Sequence, residues 1–114
     1  MAPLNDTAIL AKFRRALSEW NCTGYTTWKK IAREWVEANL EGVTTRAIGE
    51  AMFNYVAAGG KIDQTRETRL EWNTQQFHYD FRLAIGERLI YVETILIEDD
   101  PDDSTIHVVS IHDA

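Results

Sequence analysis

The last third of the chain contains two hydrophobic stretches joined by a glycine turn, and this hairpin constrains the fold more than any other feature. Phe77–Leu83 alternates apolar and polar residues, the period of two expected for a strand with one buried face. Arg88–Ile97 is apolar at positions on both faces, as expected for a strand in the interior of a sheet. Gly86, as the first residue of a two-residue loop, favours a type II′ turn. The sequence therefore predicts an antiparallel hairpin.

Three amphipathic segments precede this hairpin and predict helices. Each begins at a pair of residues that can cap a helix: Asn5 or Asp6, Thr26 or Thr27, and Thr44 or Thr45. The apolar face of the second helix is predicted to comprise Trp28, Ile31, Ala32 and Trp35. Gly59 and Gly60 are predicted to end the third helix, because glycine adopts the left-handed conformation found after helix ends.

Helices followed by strands indicate an α+β fold. We predict three N-terminal helices packed on a C-terminal antiparallel β-meander of three to four strands, as a two-layer sandwich. Besides the hairpin, the predicted strands are Glu67–Trp72 and Thr105–Ile111. A chain of 114 residues predicts one domain, with a helical half at 1–60 and a sheet half at 61–114.

Charge is distributed unevenly between the two halves. Residues 1–61 contain eight Lys and Arg against six Asp and Glu, whereas residues 62–114 contain four against twelve. An acidic surface repels phosphate groups and attracts basic proteins. The sheet half is therefore a poor nucleic-acid surface, and its charge indicates a basic protein partner.

The sequence also indicates where the protein works. The single cysteine, Cys22, cannot form an intrachain disulfide, which is typical of a reducing cytoplasm. Residues 1–6 lack the basic and apolar regions of a signal peptide, and no apolar stretch approaches the roughly 20 residues of a membrane helix. We expect a cytoplasmic protein without membrane association, without a cofactor, and with a non-enzymatic role in protein interaction or regulation.

Polar side chains on the outer face of the hairpin form a candidate catalytic or metal site. With a two-residue loop, Asp80 lies opposite Glu93 and two positions from Arg82. Two carboxylates in this position repel each other, so the pair needs a cation, a shared proton or a metal. His78 lies on the same face, and His107 joins it if the register of the last strand permits. The cluster predicts, as an alternative function, a small enzyme or metal site, although the spacing matches no known metal motif.

A second alternative is a DNA-binding regulator. Two helices joined by a short turn at about residues 26–57 resemble a helix-turn-helix arrangement. The residues predicted to contact DNA are Lys29, Lys30 and Arg33 at the phosphates, and Thr45 and Arg46 in the groove. Any pair of helices packed on a sheet would produce the same pattern, so the DNA-binding prediction remains an alternative.

The outer face of the sheet also carries apolar residues. Leu89, Tyr91 and Ile95 would be exposed if the helices covered only the opposite face. A two-fold homodimer through this sheet face would cover them, so a homodimer is predicted.

Overall fold

The computed structural model describes residues 2–100 and 102–114, which contain three helices, a 3-10 turn and six strands. In chain order the elements are β1 (Ala2–Pro3), α1 (Thr7–Ser18), β2 (Thr26–Trp28), α2 (Lys30–Asn39), α3 (Thr45–Ala57), β3 (Asp63–Arg66), the 3-10 turn (Leu70–Trp72), β4 (Phe77–Ile85), β5 (Arg88–Ile97) and β6 (Thr105–Asp113). The strands form one sheet in the order β1-β3-β4-β5-β6-β2, in which β2 runs parallel to β6 and the other neighbours are antiparallel. The α+β class is confirmed. The predicted strand number is wrong, and the helices do not all precede the sheet in sequence, because β1 and β2 come from the helical half.

The hairpin is as predicted. Phe81 pairs with Val92 and Asp80 pairs with Glu93, which is the register set by a two-residue loop. Gly86 has a φ of +61°, the left-handed value that a type II′ turn needs at its first loop position. β5 lies between β4 and β6, as predicted for an interior strand, and its apolar residues Ile90, Val92, Ile95 and Leu96 are buried.

The second helix begins later than predicted. Thr26–Trp28 form β2 instead, and the amide of Lys29 continues the pairing by donating to the carbonyl of Val108 at 2.9 Å. Threonine and tryptophan suit a strand, and pairing with β6 outweighs their place in a helical pattern. Ile31 is consequently 68% exposed, whereas Ala32 is buried.

The chain after the helices also differs from the prediction. Asp63–Arg66 form β3, whereas the predicted strand Glu67–Trp72 leaves the sheet. Residues 67–76, which we call the cover segment, fold back across the outer face. Its base is closed by a hydrogen bond from the amide of Glu67 to the carbonyl of Gln76 at 3.0 Å. The Trp72 ring packs on His107 with 5.6 Å between ring centroids.

The main core lies between the three helices and the inner face of the sheet. α1 packs against α3, α3 against β4, and α2 over β6. The side chains that are both buried and large in this core include Phe13, Leu17, Ile48, Met52, Phe81, Leu83, Ile90 and Ile106. No helix in the described part of the chain is long and apolar enough to cross a membrane.

Local signals at the ends of α1 and α3 are confirmed. Asp6 caps α1 by accepting from the amide of Ala8 at 2.9 Å, and Thr44 caps α3 by accepting from the amide of Ala47 at 3.0 Å. Gly60 follows the end of α3, where a Cβ atom would lie 2.6 Å from the carbonyl oxygen of Tyr55. The chain can therefore turn back towards β3 only with a glycine at this position.

Part of the outer face is covered within one chain, which corrects the expected apolar strip at Ile95. Ile95 is 1% exposed, because it pairs with His107 in a region that lies under the cover segment. Leu89 remains 50% exposed and Tyr91 is half-buried. The proposed interface thus loses Ile95, and a second copy of the chain is not needed to bury it.

Candidate functional site

Asp80 is the centre of the polar cluster on the outer face. Its side chain is fully buried, and one carboxylate oxygen accepts a hydrogen bond from His78 Nδ1 at 2.8 Å. The other oxygen accepts from Tyr91 Oη at 2.6 Å and from Thr65 Oγ1 at 3.2 Å. A buried carboxylate is tolerated when its oxygens are bonded in this way. Three neighbouring strands therefore supply the partners of one buried charge.

Tyr91 serves as a neutral donor in this cluster. Burial, followed by its hydrogen bond to Asp80, raises the pKa of Tyr91 above its ordinary range, so the phenol keeps its proton. The guanidinium of Arg82 lies 5.3 Å from the centre of the Tyr91 ring and also binds the carboxylate of Asp63. The His112 ring stacks on Tyr91 at 5.1 Å. The tyrosine is held by aromatic and cationic groups as well as by its hydroxyl.

Arg69 holds the cover segment onto β5. It donates from Nε and Nη2 to the two oxygens of Glu67, at 2.7 and 2.9 Å, and from Nη1 to Glu93 at 3.0 Å. The Glu67 side chain is 1% exposed, and the hydrogen bond from Arg69 lowers its pKa. The planar guanidinium therefore links two carboxylates from different elements.

The Asp80–Glu93 pairing is confirmed, and the structure shows how the repulsion is compensated. Asp63 pairs with Asp80 on the other side, so three carboxylates lie in a row across β3, β4 and β5. Arg82 forms an ion pair with Asp63, and Arg69 forms one with Glu93. No sequence signal singled out Arg69, because its position depends on how the cover segment folds back.

The same cluster is the candidate metal site. One donor atom each from His78, Asp80 and Glu93 lies within 4.8 Å of the others. Both oxygens of Asp80 already accept hydrogen bonds, and Glu93 binds Arg69, so a metal ion would have to displace an arginine. This arrangement favours a structural role for the cluster.

His107 does not join the cluster. Its Nδ1 lies 2.7 Å from Thr27 Oγ1, and its ring packs on Trp72. Burial, followed by the charge of Lys29, lowers the pKa of His107. His107 therefore joins β6, β2 and the cover segment to one another.

The residues predicted to contact DNA do not form one surface, and several of them contact other residues of the chain. Lys29 precedes α2 and pairs with Glu71 of the cover segment at 3.1 Å, and Lys30 lies 4.0 Å from Glu34. Thr45 and Arg46 line a small hollow of about 150 Å³, and Arg33 is exposed. Because α2 packs mainly over β6 and α3 mainly on α1 and β4, the helices rest on the sheet. A helix-turn-helix requires the two helices to pack on each other, so this arrangement does not support the DNA-binding alternative.

Leu70 is an exposed apolar residue that the sequence did not identify. It lies at the tip of the cover segment and is 88% exposed. Its neighbours are held: Arg69 by two carboxylates, Glu71 by Lys29, and Trp72 by His107. The predicted strand Glu67–Trp72 gave no indication of this, since only the fold-back of the segment brings Leu70 to the surface.

The acidic loop after β5 is partly neutralised by α1. Lys12 pairs with Glu98 at 3.1 Å, and Arg15 lies 3.6 Å from Asp103. The contrast between a basic and an acidic half, evident along the sequence, is therefore weaker in space. Exposed ion pairs of this kind add little stability but reduce the local field.

Comparisons with protein-family models, with curated proteins and with solved structures find no match for this chain. Its function must therefore be inferred from its own side chains.

Proposed function

We propose that the chain is a non-enzymatic protein-interaction module that binds its partner through Leu70 and the surface around it. The observation that supports this proposal is an apolar side chain, 88% exposed, on a turn whose flanking residues are all held in place. A turn whose flanking residues are already held in place loses little backbone conformational entropy when a partner covers it. The contacts that hold the cover segment in place would thus favour recognition as well as stability.

A second exposed residue extends this surface. Ile31 is 68% exposed and lies two residues after Lys29, whereas Leu70 lies one residue before Glu71. The two apolar residues are thus close in sequence to the two members of the Lys29–Glu71 ion pair, and we propose that they belong to one surface. We call Leu70, Ile31 and this ion pair the Leu70 surface. Burying each apolar side chain contributes about 1.5–3 kcal/mol before the costs of association, so a partner must add polar contacts for tight binding.

Charge favours a basic partner. The chain has a net charge of −6, and a field of this sign accelerates encounter with a positively charged protein. The cytoplasm is the proposed location, because Cys22 is exposed and free, and a reducing compartment preserves such a thiol.

The experiment is affinity capture from native lysate with the intact chain and two variants. We expect one basic protein to be recovered by the intact chain and lost with Leu70→Ser. Leu89→Ser is the matched control, because Leu89 is also exposed but lies elsewhere, on the open part of the sheet face. Equal recovery with Leu70→Ser, or loss with both variants, would contradict the proposal.

Homodimerisation through the sheet face stays a separate prediction. With Ile95 buried, Leu89 and Tyr91 are the residues of that proposed interface which solvent still reaches. Light scattering at micromolar concentration tests it: a dimer that Leu89→Ser converts to a monomer would support the prediction, and a monomeric intact chain would exclude it at that concentration.

A further inference from the structure

Two hollows lie side by side between α1 and α3. The larger, of about 190 Å³, is lined by Arg14 and Leu17 of α1 and by residues of α3 that include Phe53 and Val56. The smaller, of about 170 Å³, is again lined by Arg14 and Val56, and it continues to Lys61 in the chain after α3. Because the two hollows share these two residues, they form one groove, which we call the α1–α3 groove.

The floor of the α1–α3 groove is apolar and belongs to the main core. Leu17, Val56 and Ile62, which all line it, are at most 5% exposed. Leu10 and Phe53 are half-buried and pack against the same core. An apolar side chain that enters either hollow would therefore move from water to an apolar surface, which is favourable.

The spacing of the two hollows matches one turn of a helix. The smaller hollow contacts Leu10 and Arg14, and the larger contacts Arg14 and Leu17. With a rise of about 1.5 Å per residue, the hollows are thus displaced by about 5 Å along α1. Apolar side chains three or four residues apart on a helix have a similar separation. The groove therefore fits the apolar face of a helix that lies along α1.

The α1–α3 groove is positively charged, although the chain has a net charge of −6. Its described lining contains two cations, Arg14 and Lys61, and no carboxylate. Within residues 2–100 and 102–114, neither of these two side chains forms an ion pair or a hydrogen bond. The neighbouring cations of α1, Lys12 and Arg15, instead pair with the acidic loop after β5. The charge of the groove is therefore complementary to an acidic partner.

We infer that the α1–α3 groove binds an acidic amphipathic helix of a second protein, at a surface that shares no residue with the Leu70 surface. Two apolar side chains of that helix, one turn apart, would fill the two hollows. Its carboxylates would pair with Lys61 and with Arg14, whose planar guanidinium can hold both oxygens of one carboxylate. Because Arg14 and Val56 lie at the junction of the hollows, the shape favours two separate side chains over one continuous acyl chain.

The test uses a labelled synthetic peptide, alanine-based and helical, with two leucines four residues apart and glutamates beside them. Its fluorescence anisotropy is measured against the intact chain and variants at low ionic strength. Arg14→Gln should weaken binding by about tenfold, because it removes a charged hydrogen-bond donor at the centre of the groove. Ala57→Glu should weaken binding at least as much, because it places a carboxylate in the larger hollow. Both residues are exposed, so both variants should fold normally. Arg33→Gln, an equal loss of charge at an exposed position of α2, should leave the affinity unchanged.

A second peptide, of the same composition but with the two leucines on opposite faces of the helix, separates a docking groove from general charge attraction. Tighter binding of the first peptide, with amide chemical-shift changes confined to α1, α3 and the chain that follows α3, would support the proposal. Equal binding of the two peptides, an equal loss with Arg33→Gln, or no saturation below about 1 mM peptide would overturn it. Displacement of the peptide by a lower concentration of dodecanoate would also overturn it, and would assign the groove to an acyl-chain carboxylate instead.

Discussion

The two faces of the sheet are closed in different ways. Three helices cover the inner face, and its core consists of apolar side chains such as Phe13, Phe81 and Ile90. The cover segment, ten residues long, closes much of the outer face and is held by charged groups, chiefly Arg69 with Glu93 and Glu71 with Lys29. The inner face is stabilised by apolar area, which is non-directional, whereas the outer face depends on the geometry of a few hydrogen bonds.

This difference shows how a small chain can cover both sides of a sheet. A second layer of helices or a second copy of the chain would also have buried Ile95, but the cover segment buries it within one chain. Among the charges that fasten the segment, the side chain of Glu67 is only 1% exposed, so it depends on Arg69 as its partner. On the inner face, we therefore expect stability to depend mainly on side-chain volume. On the outer face, we expect it to depend mainly on the presence of each hydrogen-bonding or ion-pair partner.

The largest loss of stability is expected from a substitution on the inner face. Phe81→Ala should lower the free energy of unfolding by about 3–5 kcal/mol, because it opens a cavity in a fully buried part of the core. Urea denaturation measures this loss. Leu89→Ala, on the same sheet but exposed, should change the free energy by less than about 0.5 kcal/mol. A similar small loss for both variants would show that the inner core is not the main source of stability.

The second-largest loss of stability is expected from a substitution at the centre of the outer face. Asp80→Ala should cost about 2–4 kcal/mol, because His78, Tyr91 and Thr65 would lose their common acceptor in a buried place. Asp80→Asn retains one carbonyl acceptor and should cost less. Thermal and urea unfolding of both variants measure the difference. If neither variant is destabilised, the comparison between the two faces fails.

A more local effect is expected for Arg69→Met. Methionine keeps the apolar stem but removes the bonds to Glu67 and Glu93, at a cost of roughly 1–2 kcal/mol for a side chain that is 32% exposed. Amide hydrogen exchange should accelerate in the cover segment and remain slow in the interior strand β5. Uniformly faster exchange in both places would mean that the segment is not a separate unit.

The smallest effect is a pH dependence at the junction of the cover segment with β2 and β6. Because the pKa of His107 is lowered in the folded state, the unfolded chain takes up a proton first as pH falls below about 6.5, and stability decreases. Glu67, whose pKa is also lowered, adds a further loss at more acidic pH, below its ordinary pKa. Comparing urea midpoints at pH 7.5 and 5.5, we expect a smaller decrease in His107→Gln than in the intact chain. If the midpoint decreases equally in His107→Gln and in the intact chain, other groups cause the decrease.

The candidate site was only partly predictable. Pairing of Asp80 with Glu93 follows from the loop length, because a two-residue turn sets the register of the whole hairpin. The cation on Glu93 was not predictable, since Arg69 lies 24 residues away and reaches Glu93 only after the cover segment has crossed the sheet. The exposure of Leu70 depends on the same kind of distant contact.

The sequence by itself determined the elements whose causes are local. Alternation defined β4, Gly86 set its turn, and Asp6 and Thr44 marked the beginnings of helices, because each effect acts within a few residues. Only the tertiary structure decided that Thr26–Trp28 would join the sheet and that residues 67–76 would cover it. Short polar segments have weak preferences of their own, so their conformation is set by the backbone edge or buried charge that the rest of the fold presents to them.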